Sequence, residues 1–144
     1  MSDLKMTEAE REAFLAGLHV GVLGVERADG PPLVLPVWYS YEPGGEVVVL
    51  TSASSLKGRL AAAAGRGSLV AQQEELPYKY VSVEGAIEID ELGAGGHDDI
   101  EPMAIRYLGA EMGKGYAAAS TVADEIRIRL RPERWWSVDY AKSG

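Results

Sequence analysis

The chain of 144 residues contains no cysteine and two histidines. The first absence removes disulfides, thiol nucleophiles and thiolate metal sites together. The second leaves too few imidazoles for a multi-histidine centre, so no metal site is expected. Positive charge is scarce as well: 14 Lys and Arg stand against 22 Asp and Glu, for a net charge of -8 and a pI near 4.8. Such a balance disfavours a nucleic-acid backbone or an anionic lipid surface as partner and points to a small molecule or to protein. No apolar run approaches the length that crosses a bilayer. The opening MSDLKMTEAEREAF has neither a basic n-region nor an apolar h-region, so a cytoplasmic protein is expected. Neither a Ser-His-Asp pattern nor a metal motif suggests hydrolysis. The length suits a single domain over residues 1–144, large enough to bury its own core.

What is present reads as short strands punctuated by turns. Thr7 and Glu10 have capping-box spacing, and Phe14, Leu15 and Leu18 give the following helix an apolar side that Gly17 can end. HVGVLGVER and LVLPVWYSY flank the turn ADGPP as a hairpin. Pro36 lies inside the second strand, which places that strand at an edge, at a bulge or facing a ligand. EPGG turns into EVVVLT, an unbroken apolar run expected to be buried on both faces. Further on, GSLVAQQ and YKYVSVEGAIEID read as strands. In the second, Val81, Val83, Ile87 and Ile89 alternate with polar positions, and Gly85 on the apolar side marks a bulge or a close backbone approach. Asp98 or Asp99 can cap a helix carrying Pro102 in its first turn. GAEMGKGYAAASTVAD is expected to be a short helix and loop. EIRIRL alternates with Ile126, Ile128 and Leu130 inward, and Pro132 breaks it before RWWSVDY.

The segment Leu33–Gln73 concentrates the features with chemical content. From Val47 to Gln73 it has no Asp or Glu, a gap expected by chance about once in a hundred such windows. In TSASSLKGRLAAAAG the period changes to helical: Ser54 or Ser55 can cap, and Gly65 fits the stop. Lys57 and Arg59 therefore fall in a first turn, where free backbone N–H groups and the positive end of the dipole already favour an anion. A solvated, Ala-rich helix with basic residues for solubility is the other reading of the same pattern.

Mostly antiparallel strands, with one helix after the third and a second helical insert before the last, fit a small six-stranded Greek-key barrel and not a parallel α/β sheet. PVWY after the first hairpin, TSASSLKGRL after the third strand, PYKYVSVEG in the fifth, RYLG in the inserted helix and the terminal PERWW occur in the order seen in a known family. In that order the chain resembles the split β-barrel flavin and deazaflavin oxidoreductases, the pyridoxamine-5′-phosphate-oxidase-like proteins, and most of all their short branch that uses coenzyme F420. The resemblance spans nearly the whole chain. It implies a mainly β barrel with α insertions and a homodimer with a cofactor site at the subunit interface. Trp135 and Trp136 argue the same way, since adjacent strand residues point to opposite faces and cannot both enter one core.

By matching position, the resemblance implies that Pro36, Val37, Trp38 and Tyr39 follow the edge of the cofactor ring and that Thr51, Ser52, Ser55, Leu56 and Lys57 hold its phosphate end. Arg59 and Lys79 would meet further negative charge, with Tyr78 and Tyr80 as alternative wall residues and Trp136 as a cofactor-site residue at the interface it helps to anchor. The implied activity is hydride transfer from reduced F420 to a small conjugated organic substrate. The alternatives are an FMN-binding, pyridoxamine 5′-phosphate oxidase-like protein and a non-catalytic carrier of cofactor or small molecules. The larger basic set of the long pyridoxamine phosphate oxidases is missing, and His19 and His97 are not favoured as haem ligands. The residues assign neither a catalytic acid or base nor a substrate.

Overall fold

One long strand organises the sheet. In the computed structural model, which describes residues 3–93 and 96–143, β5 (Lys79–Glu91) buries Val81, Val83 and Ile87 while Tyr80 and Glu88 face outward. That alternation follows from the pleat, which sends successive side chains to opposite faces. Along one edge of β5 runs β4 (Arg66–Gln73), antiparallel and paired from Lys79 to Ala86. Along the other edge lie β7 (Arg134–Asp139), opposite Lys79–Glu84, and β6 (Glu125–Leu130), opposite Ile87–Glu91.

β6 and β7 are one strand broken at Arg131–Glu133. Arg131 N–H donates to Ala86 O (2.9 Å) and Glu133 N–H to Glu84 O (2.9 Å), leaving the bulge opposite Gly85. A Cβ on Gly85 would sit 1.8 Å from Arg131 O, so the close approach expected there is real and only glycine permits it. The break at Pro132 turns the expected six strands into seven strand segments.

The strands run in the order β2-β1-β4-β5-β6-β3, with β1 spanning Gly21–Val25, β2 Leu33–Val37 and β3 Val47–Ser52. All pairings are antiparallel. β2 and β3 are the outermost strands, and a single bridge between Ser40 and Val48 (3.0 and 2.9 Å) joins their sides, so the sheet curls into a barrel with a narrow seam. Pro36 thus lies on an edge strand, where a missing N–H is tolerated. β3 departs from expectation: Val47, Val49 and Thr51 are buried, but Val48 and Leu50 are only half-buried because an outermost strand has less to cover its outer side.

Helix α1 (Glu8–Ala16) starts with the anticipated capping box: Thr7 Oγ1 accepts from Glu10 N–H (3.2 Å) and Glu10 Oε1 from Thr7 N–H (2.8 Å). Leu15 is fully buried, and Tyr39 Oη donates to its carbonyl at 2.6 Å. Leu18 is 60% exposed, because the helix stops at Gly17 and the chain leaves the barrel end before it.

The second insert is a helical hairpin, α3 (Gly96–Leu108) and α4 (Ala110–Ala119). α3 begins earlier than the sequence suggests, so Asp98 and Asp99 lie in its first turn instead of capping it, and Pro102 lies beyond that turn. α4, with the non-helical residues that follow it, is the short helix and loop expected there. A Cβ on its Gly113 would come within 2.5 Å of the Ile105 backbone, so this helix is defined by how closely it packs on α3. The RYLG segment fastens the hairpin to the barrel. Arg106 donates to Gly17 O (2.6 Å), Ala16 O and Tyr39 O (both 3.2 Å), while Tyr107 Oη donates to His19 O (2.6 Å) and accepts from Tyr39 N–H (3.0 Å). None of the helices among the described residues is long and apolar enough to cross a membrane.

A candidate cofactor cavity at the start of helix α2

β3 ends in Thr51 and Ser52, and a turn leads into α2 (Leu56–Ala64). Ser55 is the N-cap: its Oγ accepts from Gly58 N–H (3.1 Å), donates to Ser52 O (2.7 Å) and lies 3.1 Å from Thr51 Oγ1. Asp124 fixes the turn from across the sheet, accepting from Ser54 N–H (3.1 Å) and Ser54 Oγ (2.5 Å). The helix start is pressed onto the strand end so tightly that a Cβ on Gly58 would lie 2.5 Å from Ser52 O. Gly65 stops the helix in the left-handed conformation with φ 66°.

Beside this turn is a cavity of about 340 Å³. Its floor is Leu50, Thr51, Ser52 and Ser55, one wall is Ile100, Met103 and Ala104 of α3, and Lys57, Trp38, Tyr116, Ser120 and Glu125 complete the lining. Trp38 is stacked on Tyr107 (5.1 Å between centroids, 3° between planes) and meets Tyr116 at 5.6 Å and 52°. The cavity therefore joins a flat aromatic surface to a helix N-terminus. Neither Lys57, half-buried, nor Arg59, exposed, forms an ion pair among the described residues. Arg59 Nε does donate to Ser54 O (3.3 Å), which braces the turn.

Of the residues expected at the site, Trp38, Thr51, Ser52, Ser55 and Lys57 meet in this cavity. The others do not line it. Val37 and Tyr39 are core residues, and burial drives the Tyr39 hydroxyl well above its ordinary pKa, so it stays neutral and bound to Leu15 O. Pro36, Leu56 and Arg59 point to solvent. Lys79 faces Asp139 at 3.9 Å, and Trp136 is 51% exposed. Both sit at the end of β5 remote from Glu91, whereas Glu125 neighbours that far end through the β6 pairing. Tyr78 and Tyr80 are exposed on the same remote segment.

Glu125, Tyr116 and the α3 residues were not legible in the sequence as site residues. Glu125 pairs with Ser52 across β3 and β6, so a carboxyl enters a region whose own sequence has no acid. Burial and the neighbouring Asp124 charge raise its pKa, and Lys57 pulls the other way.

His19 stacks on Phe14 (4.4 Å) with Nε2 2.9 Å from Phe14 O, and burial lowers its pKa; His97 Nε2 lies 2.8 Å from Ser120 O. No group of three or more His, Cys, Asp or Glu among the described residues could hold a metal. A larger, open groove of about 720 Å³ runs past Gly24, Gly67 and Gly85, but its Arg66 is paired with Glu26 (2.7 Å) and its Arg134 faces Glu84 (3.9 Å). Its charges are already answered.

No protein-family profile matches the chain, and no curated protein does. Solved structures do. A conserved hypothetical protein, Rv2991 from Mycobacterium tuberculosis, is similar at 26% identity and TM-score 0.81, covering 100% of this chain and 91% of that one. An F420 reductase is similar at 22% identity and TM-score 0.68 over 87% of this chain and 94% of that one. An FAD-binding protein from Mesorhizobium loti is similar at 22% identity and TM-score 0.66, covering 92% of each chain. With the curled antiparallel sheet and its helical insert, these likenesses show that the chain shares its barrel fold with structures that include an F420 reductase and an FAD-binding protein, a fold consistent with the split β-barrel flavin and deazaflavin oxidoreductases.

Proposed function

We propose that the protein is an oxidoreductase of this superfamily that uses coenzyme F420 and reduces a small, conjugated, electron-poor organic substrate. The observation carrying this reading is Lys57, a cation in no ion pair among the described residues, set beside the capped start of α2 in a cavity with an aromatic wall.

The residues suit such a group. Phosphate oxygens accept hydrogen bonds from hydroxyls, from N–H groups of a first helical turn and from an ammonium, all of which Thr51, Ser55, Lys57 and the α2 backbone supply. Trp38 and Tyr116 offer faces against which a planar ring can lie. About 340 Å³ is near the lower end of the usual range for small-molecule sites, roughly 300–1,000 Å³, so part of a ring-and-tail cofactor fits inside and the remainder lies outside the chain's own walls. When bound, a deazaflavin or flavin supplies hydride chemistry. The chain's residues bind and orient it, and the α3–α4 hairpin shields one side from water.

The remaining wall is proposed to come from a second copy of the chain. Cross-strand register places Pro36, Val22, Val70, Ser82 and Trp136 in one row across five strands of the outer face. Val34 beside them is 61% exposed and Trp136 51%, an apolar surface of the kind that interfaces cover. Lys79 and Trp136 lie too far along β5 to reach their own chain's Lys57, so any share they have in a site is in the partner's.

Titrating the purified protein with F420 and FMN side by side, then adding electron acceptors to the reduced cofactor, tests the reading. Tighter binding of F420 with turnover supports it. Preference for FMN replaces it with the flavin alternative, and binding without turnover replaces it with a carrier. Sedimentation of wild type and Trp136→Ala tests the pairing: the variant should shift toward monomer, and a wild type that is monomeric at micromolar concentration rules a dimer out.

A further inference from the structure

The acid inside the anion cavity is the feature this reading leaves unexplained. Glu125 opens β6, stands opposite Ser52 and lines the same cavity as Thr51, Ser55 and Lys57, with the Lys57 charge acting on its carboxyl. A carboxylate there repels the anionic group that the rest of the lining attracts. We propose that Glu125 makes anion binding in this cavity proton-coupled: it is ionised toward Lys57 when no anion is bound, and takes up a proton when a phosphate group enters. This deepens the cofactor reading and rests on it.

The surrounding charges leave Glu125 to play this part. Asp124, next in the chain, is held by Ser54 N–H and Oγ. Arg127, two residues on along the same outward face, is taken by Asp99 (2.6 Å) and Asp90 (3.4 Å) and does not neutralise Glu125. Glu91 of β5 is paired with the adjacent Ile126 and adds only negative charge. His97 of α3 is turned to Ser120 O. Tyr116 of α4 also lines the cavity, and Lys57 of α2 is the cation that faces Glu125. Burial and Asp124 already bias the carboxyl toward its neutral form, so an incoming anion needs to add only a modest further push.

The linkage has a definite sign. A bound anion raises the Glu125 pKa above its value in the free protein, so affinity is highest below the free-protein pKa, falls as pH rises through the interval between the two values, and levels off above it. Glu125→Gln, which keeps the shape and removes the charge, should bind F420 and FMN with the high affinity at every pH. Titrations from pH 5 to 8, with far-UV circular dichroism confirming the fold, should give a wild-type to variant Kd ratio that is smallest at the acid end. The ratio should rise about tenfold toward pH 8, the factor for each unit of pKa difference. Ionisation of the ligand itself is common to both proteins and cancels in the ratio. Calorimetry in two buffers of different ionisation enthalpy should find extra proton uptake in wild type that Glu125→Gln and Glu125→Ala both lose. Binding with a pH-independent ratio overturns the Glu125 proposal alone. Failure of every form to bind either cofactor overturns it together with the cofactor reading.

Discussion

Two places in this barrel present a pair of cations on the same structural stem, and they are in opposite states. On the outer face of β6, Arg129 is paired with Glu46 (2.9 Å), Glu88 (2.7 Å) and Asp90 (2.8 Å), and Arg127 with Asp90 and Asp99. The hydrogen bonds that Arg129 donates to Asp90 and Glu46 push its pKa further above its ordinary value, and Arg129 in turn holds the Asp90 carboxyl below its own. At the start of α2, neither Lys57 nor Arg59 forms an ion pair among the described residues, and Lys57 shares its cavity with one carboxyl, Glu125, beyond ion-pair distance. Arg127 and Arg129 sit in a neutralised lattice that ties β3, β5, β6 and α3 together. Lys57 is a charge left in reserve beside a cavity. In an acidic protein, the number of basic residues in a segment says little about binding; whether the fold supplies them with carboxylates says a great deal.

The most severe disruption of this contrast is expected from Gly58→Ala. The added methyl meets Ser52 O, so the first turn of α2 must lift from β3; cofactor binding should be lost, and stability should fall by about 1–3 kcal/mol, the usual penalty for overpacking. Binding titration and chemical denaturation measure the two effects. Next in size, Lys57→Ala should weaken a phosphate-bearing cofactor by about 1.5–3 kcal/mol without a change in melting temperature; unchanged affinity would remove Lys57 from the site. Arg129→Ala should behave in the opposite way, lowering the melting temperature slightly through the stranded Glu46, Glu88 and Asp90 while cofactor affinity stays as in wild type. A loss of affinity there would show that the two regions are not separate.

The smallest effect is expected at Glu10, far from both. Lys142 and the Thr7 capping bond hold its pKa at about 2, below the ordinary carboxylate value, so its stabilisation is present above pH 4.5 and is lost as pH falls from there toward 2. Glu10→Gln should flatten that part of an acid-denaturation curve by lowering stability slightly at neutral pH, with no change at the acid end near pH 2.

Much of the barrel could be read from residues because its signals are local. The capping box at Thr7, the period-two pattern of β5, the glycine at the bulge and the proline on the edge strand each act on their own neighbours. Half of the cavity was legible for the same reason: TSASS and Lys57 lie within one turn of each other. α4 was obscure because glycines and alanines hide its apolar side, and its packing depends on contact with α3. Glu125 was obscure because only the pairing of β3 with β6 brings it to Ser52, far away in the chain. The ring-edge residues divide by strand alternation: of Val37, Trp38 and Tyr39, the middle one faces the cavity and its neighbours enter the core.

The chain's three tryptophans end up in three unlike surroundings. Trp38 lies against Tyr107 at the cavity wall, Trp135 lies under the Arg11 guanidinium (4.6 Å) beside Tyr41, and Trp136 faces outward. The molecule thus carries its own optical probes. Replacing two of the indoles by phenylalanine leaves emission that reports in turn on ligand entry, on docking of α1, or on covering of the outer sheet, with no dye attached.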